Sequence, residues 1–191
     1  EASTSDVASI AEALDQFALA DMAHLVEQAH ARQSFLDRLE AMARDDSTLE
    51  ASMHKAIERN LWIFGATFSL FSSNKTLQRQ VEDMLGKKYS GSNASRRPDL
   101  LLNEDLHGTC LLIEFKRPSH SLNHDDYVQA TSYRHELQKA LHKEIKVVVV
   151  GGRRSADFPV QNKEPGVDAL LFDDVISTAR RQLEWQIKSA P

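Results

Sequence analysis

The sequence predicts an α/β fold that is preceded by a long helical arm. Up to about residue 60 the apolar residues recur every three or four positions, which is typical of amphipathic helices. After the polar segment 89–97 they form short continuous runs, which are typical of buried strands. The order of helix, strand hairpin, helix and strand indicates an α/β layer architecture. With 191 residues, the chain is long enough for one domain with a full core.

The helical arm is predicted from residues 6–44, which contain apolar side chains at helical spacing and neither proline nor glycine. Because this length exceeds that of most globular helices, the helix is expected either to break in two or to lie along a partner. We interpret residues 1–47 as a linker or oligomerisation arm and residues 48–191 as the main domain. Further helices are predicted over 49–60, 75–85, 125–142 and 173–188.

The strands are predicted from apolar runs after residue 97. Residues 98–102 and 109–115 predict a hairpin closed by the turn NEDLHG. The valine run within 145–152 predicts a fully buried strand that ends at two glycines, and 167–172 predicts a short last strand. These strands and the helices between them form the predicted layers.

Composition excludes several classes of protein. The formal net charge of −5 argues against a protein that coats nucleic acid non-specifically. Residues 75–154, however, carry 14 basic and 10 acidic residues, a net of +4, so this segment has a charge bias that favours a polyanion. The single cysteine, Cys110, excludes a disulfide scaffold and a cysteine-based zinc site. No apolar run reaches the ~18 to 20 residues of a membrane span, so we expect a soluble, cytoplasmic domain without a membrane partner.

Two carboxylates and a lysine carry the clearest chemical signal. Glu114 and Lys116 share one face of the second hairpin strand, since side chains alternate along a strand. Asp99 lies near the start of the first hairpin strand, beside Glu114 across the ladder. Such a pair is costly to bury unless a cation neutralises it, and Mg²⁺ or Mn²⁺ prefers carboxylate oxygens. We therefore predict a metal site at Asp99 and Glu114, with Lys116 stabilising an attacking water or charge on phosphorus. The alternative is a structural salt bridge.

The Glu-x-Lys pattern is weak by itself, because the chain contains a second copy at Glu144 and Lys146. The second copy has no Asp-bearing strand just before it and lies at the entrance of a buried strand, where a solvated ion pair is expected. The first copy follows Asp99 at a hairpin-sized separation and is preceded by apolar or small residues. The metal site is therefore predicted at the first copy.

Several segments resemble the PD-(D/E)XK nuclease superfamily, namely RPDLLL, LLIEFKRPS, YVQATSYRHEL and IKVVVVGG. The segment EASMHKAIERNLWIFG ahead of them is similar to the opening helix of the Shedu family of anti-phage nucleases. The likeness covers about residues 48–155. It implies a restriction-endonuclease-like fold, with a central mixed sheet flanked by helices, and divalent-metal-dependent cleavage of DNA. It also implies a role in prokaryotic defence against phage.

The resemblance assigns roles to individual residues. It implies that Asp99 and Glu114 bind the metal and that Lys116 is the catalytic lysine. Gln129 matches the glutamine that the family places near the site, and Tyr133 follows it one helical turn later.

A further acid is implied from the first helix of the nuclease domain. Glu50 fits the family spacing best, and Glu58 is the alternative because both lie on one helical face. For each of them a solvated helix charge is the other interpretation.

DNA is the expected partner, and a homo-oligomer is expected through the helical arm or through an upstream segment. The alternative function is a catalytically silent nuclease-fold module for DNA binding, sensing or assembly. Basic residues near the motif would line a path for phosphates, although each is almost as well interpreted as solvated surface. These residues are Lys87, Lys88, Arg96, Arg97 and Arg117.

Overall fold

The computed structural model describes residues 4–65, 68–73, 79, 82–83, 99–104, 109–159 and 163–189. Within these ranges the helices are α1 (Thr4–Arg44), α2 (Glu50–Glu58), α3 (His124–Leu141) and α4 (Phe172–Ser189), with a 3₁₀ turn at Leu61–Phe64. The strands are β1 (Phe68–Ser73), β2 (Leu100–Glu104), β3 (Cys110–Phe115), β4 (Ser121–Leu122), β5 (Ile145–Gly151), β6 (Arg153–Arg154) and β7 (Val167–Leu171).

Five strands form one mixed sheet in the order β1-β2-β3-β5-β7. β2 runs antiparallel to both β1 and β3, whereas β3, β5 and β7 are parallel. Helix α3 is the crossover that joins β3 to its parallel neighbour β5. The predicted fold class, an α/β protein with a central mixed sheet flanked by helices and an N-terminal helix, is confirmed.

Helices cover both faces of this sheet. On one face α1, α2 and α4 enclose a core that includes Leu36 and Phe115. On the other face α3 packs over a core that includes Leu112 and Val147. Because both faces are buried, the central strands appear in the sequence as continuous apolar runs. Glu114 shares the face of Leu112, since residues two apart on a strand point the same way, and it therefore faces α3.

Helix α1 is continuous over 41 residues, and its C-terminal part belongs to the core. Leu36 and Leu39 are buried there, and Arg180 of α4 lies 2.9 Å from the carboxylate of Asp37. The domain boundary at residue 47 stays a prediction, and the C-terminal part of α1 packs with the helices that follow it. Four large apolar side chains nearer its N-terminus are more than half exposed: Leu19, Met22, Leu25 and Val26.

Two features of the sheet differ from the sequence-based prediction. β1 lies in a segment for which the sequence predicts no strand, and it pairs with β2. β4 and β6 form a parallel two-residue pair in segments that are also predicted to lack strands. Through this pairing, the segment between Lys116 and α3 packs against the segment that follows β5. The approach is close, because a Cβ on Gly152 would overlap the carbonyl of Pro118.

The other predicted helices agree with the structure to within a few residues. Of the helix predicted over 75–85, residues 79 and 82–83 are helical, and the rest lie outside the described residues. None of the helices in the described ranges has both the length and the apolar character needed to cross a membrane.

Candidate active site

The hairpin of β2 and β3 places Asp99 beside the end of β3. Leu100 pairs with Ile113 in the antiparallel ladder, so Asp99, one residue earlier, lies level with Glu114. Asp99 Oδ2 accepts a hydrogen bond from the backbone N–H of Phe115 at 2.6 Å. The predicted hairpin is confirmed, and this bond fixes the Asp99 carboxylate next to Glu114.

We refer to Asp99, Glu114, Lys116, Asp126 and Gln129 as the cluster. Glu114 is its central acid and is buried, with 9% of the residue exposed. Its Oε1 accepts hydrogen bonds from Gln129 Nε2 at 3.0 Å and from Lys116 Nζ at 3.4 Å. Its Oε2 is buried and has no hydrogen-bond partner in the described part of the chain. Because a buried carboxylate oxygen without a donor is costly, this atom is available to a cation.

Lys116 directly follows β3, and its backbone N–H donates to the Val150 carbonyl at 2.8 Å. Its Nζ lies 3.4 Å from Glu114 Oε1, 3.5 Å from Asp126 Oδ1 and 3.5 Å from Gln129 Oε1. The Lys116 side chain is 17% exposed. The ammonium is therefore held between two carboxylates and an amide, close to the surface.

Helix α3 presents Asp126, Gln129 and Tyr133 on one face, since positions three, four and seven apart align along a helix. Gln129 Nε2 donates to Glu114 Oε1 at 3.0 Å and to the Tyr133 hydroxyl at 3.1 Å. These two bonds leave the amide oxygen of Gln129 directed at Lys116 Nζ, 3.5 Å away. Gln129 thus links the acid and the lysine of the cluster.

The first turn of α3 is fixed by a capping box. Asn123 Oδ1 accepts from the backbone N–H groups of Asp125 and Asp126, and Asp126 Oδ2 accepts from the Asn123 N–H at 3.0 Å. Asp126 Oδ2 also lies 2.7 Å from Nε2 of His120. Sequence reasoning selected neither Asp126 nor His120 for the site. The available signal was the position of Asp126 three residues before Gln129.

Helix α2 carries a further acid, whose charge acts on the two carboxylates. Glu50, exposed at the start of α2, exerts a charge effect on both Asp99 and Glu114, and His54 acts on Asp99. Glu58 lies about 12 Å farther along the helix, and it is not among the strongest charges acting on either carboxylate. Of the two acids that the sequence offered, Glu50 is the one within electrostatic reach.

Burial raises the pKa of both carboxyls, and the charges of neighbouring acids add to that effect. Desolvation, followed by the charge of Asp99, raises the pKa of Glu114 to about 7 against the opposing effect of Lys116. Desolvation also raises the pKa of Asp99, although its backbone hydrogen bond opposes the change. Burial by itself would lower the pKa of Lys116, but the neighbouring Glu114 and Asp126 carboxylates outweigh it and raise that pKa. The cluster therefore disfavours the charge on its two central acids.

The donor set fits a hard divalent cation. Among the residues that the structure describes, no group of three or more His, Cys, Asp or Glu side chains is arranged to hold a metal ion. Mg²⁺, however, is commonly bound through one or two carboxylates, with water and phosphate oxygens in its other positions. Asp99 and Glu114 supply two carboxylates, and Glu114 Oε2 is without a donor among the described residues. A cation between them would offset the cost of holding two carboxylates away from water.

The structure brings together the predicted catalytic residues Asp99, Glu114, Lys116 and Gln129, with Glu50 at the edge of the cluster. Arg117, the next residue after the lysine, is exposed. The remaining predicted DNA-contacting residues lie outside the described residues: Lys87, Lys88, Arg96 and Arg97.

Comparison with known proteins gives a distant likeness. No family model and no curated protein matches the chain. A solved complex of EndoMS with double-stranded DNA is similar, with a TM-score of 0.48 and 15% identity, covering 64% of this chain and 44% of that chain. A repair endonuclease from Pyrococcus abyssi is similar with a TM-score of 0.47 and 14% identity, covering 66% of this chain and 47% of that chain. The chain thus spans less than half the length of both solved chains, and neither likeness is strong enough to show a family.

Proposed function

We propose that this chain is a divalent-metal-dependent endonuclease of the PD-(D/E)XK superfamily that hydrolyses DNA phosphodiester bonds. The observation that carries this proposal is the pair of adjacent carboxylates, Glu114, which is buried, and Asp99, which is half-buried, beside Lys116 at the end of β3. A structural salt bridge would account for Lys116 and for Glu114 Oε1, but it leaves unexplained Glu114 Oε2, which is buried without a donor in the described part of the chain. Acids whose pKa is raised by burial and by neighbouring charges are typical of functional sites.

Asp99 and Glu114 are the residues that would hold Mg²⁺ or Mn²⁺. When bound, the ion supplies Lewis-acid stabilisation of the phosphate and lowers the pKa of a water molecule. Asp99 is kept in place by the Phe115 N–H, and Glu114 by Gln129. Both carboxylates are therefore preorganised, with little side-chain motion needed on binding.

Lys116 is the proposed electrostatic catalyst. In hydrolysis a water oxygen bonds to phosphorus, the bond to the leaving oxygen breaks, and negative charge grows on the phosphate. A fixed ammonium in a partly buried site stabilises that charge more than a mobile one in water. Gln129 contacts both Glu114 and Lys116, so we assign it the role of fixing their relative positions.

DNA is the proposed substrate. The cluster lies within residues 75–154, the segment of the chain with a net charge of +4. Arg117 is exposed next to Lys116 in the chain, and we assign it a contact with a backbone phosphate. The contacts proposed for Lys87, Lys88, Arg96 and Arg97 rest on the sequence. Binding that depends on such phosphate contacts weakens steeply as salt is added.

We also propose assembly through α1 and a role in anti-phage defence. The exposed apolar side chains of α1, from Leu19 to Val26, would be removed from water against a second copy of the chain. An isolated helix gains little stability by itself, which also favours a partner. The defence role, in the prokaryotic cytoplasm, is supported by the sequence resemblance to the Shedu family.

Cleavage of linear and nicked duplex DNA at low salt, with Mg²⁺ or Mn²⁺, tests the proposed activity. We expect metal-dependent cleavage by the native chain and a loss of roughly a hundredfold to a thousandfold in Lys116→Ala, because a preorganised charge is removed. Lys146→Ala is the matched control, since it deletes the lysine of the second Glu-x-Lys copy, and it should cleave normally.

Two outcomes would contradict the proposal. Equal losses in both lysine variants would mean that overall charge, rather than the cluster, determines the rate. DNA binding without cleavage under any metal condition would favour the alternative function, a catalytically silent DNA-binding or sensing module.

A further inference from the structure

We propose that Asp126 is a positioning residue that keeps Lys116 at the reaction centre once a metal ion has engaged Glu114. The inference rests on the proposed function and adds a residue that the motif does not contain. Asp126 belongs to α3, a different element from the strand that carries Glu114, and its carboxylate contacts the lysine at 3.5 Å.

Both oxygens of the Asp126 carboxylate are in use. Oδ1 lies 3.5 Å from Lys116 Nζ, and Oδ2 contacts His120 Nε2 at 2.7 Å and the Asn123 N–H at 3.0 Å. The residue is 8% exposed. Burial would raise its pKa, but the hydrogen bonds from His120 and Asn123 outweigh burial and lower the pKa. Asp126 is thus a fixed anion whose oxygens are committed to protein groups.

The need for such an anion follows from the other contacts of Lys116. Its Nζ is held by Glu114 Oε1 and, through the amide oxygen, by Gln129. A cation bound to the Glu114 carboxylate would repel the Lys116 ammonium. It would also neutralise part of the Glu114 charge that attracts this ammonium. The Gln129 amide offers only a dipole. Among the described residues, Asp126 would then be the carboxylate that is in direct contact with Lys116 and is not engaged by the metal.

Removing the Asp126 carboxylate would leave the flexible Lys116 side chain free to move. A lysine has four rotatable side-chain bonds and a strongly hydrated head group, and that of Lys116 is already 17% exposed. Without Asp126 the ammonium would turn toward water, and the rate would fall although no group that contacts the substrate had changed. Asp126 acts through Lys116, so its removal should lower kcat and leave the KM for DNA nearly constant.

The test compares Asp126→Asn with Asp125→Asn. Each variant removes one negative charge from the first turn of α3, but Asp125 is exposed and has its side chain outside the cluster. Asn at position 126 retains an oxygen that can accept the Asn123 N–H, so the capping box should survive. We expect kcat to fall roughly tenfold to a hundredfold in Asp126→Asn, with the KM unchanged, and both constants to be native in Asp125→Asn.

Asp126→Glu is the conservative variant and should recover part of the rate, because it restores the charge. Equal rates for Asp126→Asn and Asp125→Asn would overturn the inference. So would a change confined to the KM, since that would assign Asp126 to DNA binding rather than to positioning.

A second readout separates this inference from the nuclease proposal. The ¹H–¹⁵N signal of the Lys116 ammonium, identified by its absence in Lys116→Ala, reports directly on how firmly that group is held. On addition of Mg²⁺ it should persist in the native chain and broaden or vanish in Asp126→Asn. Identical behaviour of the signal in both proteins would overturn the role of Asp126, whether or not the native chain cleaves DNA.

Discussion

The Glu-x-Lys pattern occurs at opposite ends of two neighbouring parallel strands. Glu114 and Lys116 lie at the carboxyl end of β3, whereas Glu144 and Lys146 flank the start of β5. The register pairs Cys110 with Ile145, so the two glutamates are about five residues, or about 16 Å, apart along the strands. The same sequence pattern therefore lies at opposite ends of two adjacent strands.

The surroundings of the two copies differ as much as their positions. Glu144 and Lys146 are exposed, and ion pairs in that setting contribute little to stability. Glu114 is buried beside a second acid, which follows from the hairpin pairing of β2 with β3. The candidate site thus differs from the second copy in what the adjoining strand and α3 add to the tripeptide. The carboxyl ends of parallel strands are also where α/β sheets usually bind ligands.

The largest predicted difference between the two copies is in how the free energy of unfolding of the metal-free protein depends on pH. The folded Glu114 carboxyl keeps its proton up to a pKa of about 7, whereas the ordinary value is 4.5. The folded state therefore binds more protons between these values, and stability falls as the pH rises from about 4.5 through 7. The full effect on the free energy of unfolding is roughly 3 kcal/mol, because a tenfold change in a proton-binding constant corresponds to about 1.4 kcal/mol.

Glu114→Gln imitates the protonated acid and should remove most of this slope. At pH 8 the variant should be more stable than the native chain, as measured by urea unfolding with a chelator present. Glu144→Gln, which changes the exposed copy, should keep the native slope. The same slope in all three proteins would show that burial and the neighbouring charges do not raise the pKa of Glu114.

A smaller effect, on Mn²⁺ affinity, tests whether a third acid contributes to the site at the first copy. The charge of Glu50 adds to the negative potential at Asp99 and Glu114. Glu50→Gln should weaken Mn²⁺ binding by roughly twofold to fivefold, the range expected for one partly screened charge. Glu58→Gln carries the same change two turns along the helix and should have native affinity. A larger loss in Glu58→Gln would assign the third acid to Glu58 instead.

Much of the cluster could be predicted from the sequence because it depends on local rules. Side-chain alternation places Glu114 and Lys116 together, and a hairpin brings Asp99 level with Glu114. Helical spacing then places Tyr133 one turn after Gln129. The α/β class follows from the change from helical to strand periodicity along the chain.

The rest depends on contacts between distant segments. His120 reaches Asp126 because β4 pairs with β6, a two-residue contact too short to leave a periodic signal. β1 escapes sequence-based prediction because its segment, FSLFSS, contains no β-branched residue and several serines. The burial of Leu36 and Leu39 in the C-terminal part of α1 likewise depends on the helices that pack against it later in the chain.

The most direct test of the central claim is a calorimetric titration of the chain with Mn²⁺. If Asp99 and Glu114 form the metal site, the native chain and Glu144→Gln should bind Mn²⁺ alike, whereas Asp99→Asn and Glu114→Gln should show no measurable binding. Native affinity in Asp99→Asn and Glu114→Gln, or no binding by the native chain, would contradict the account.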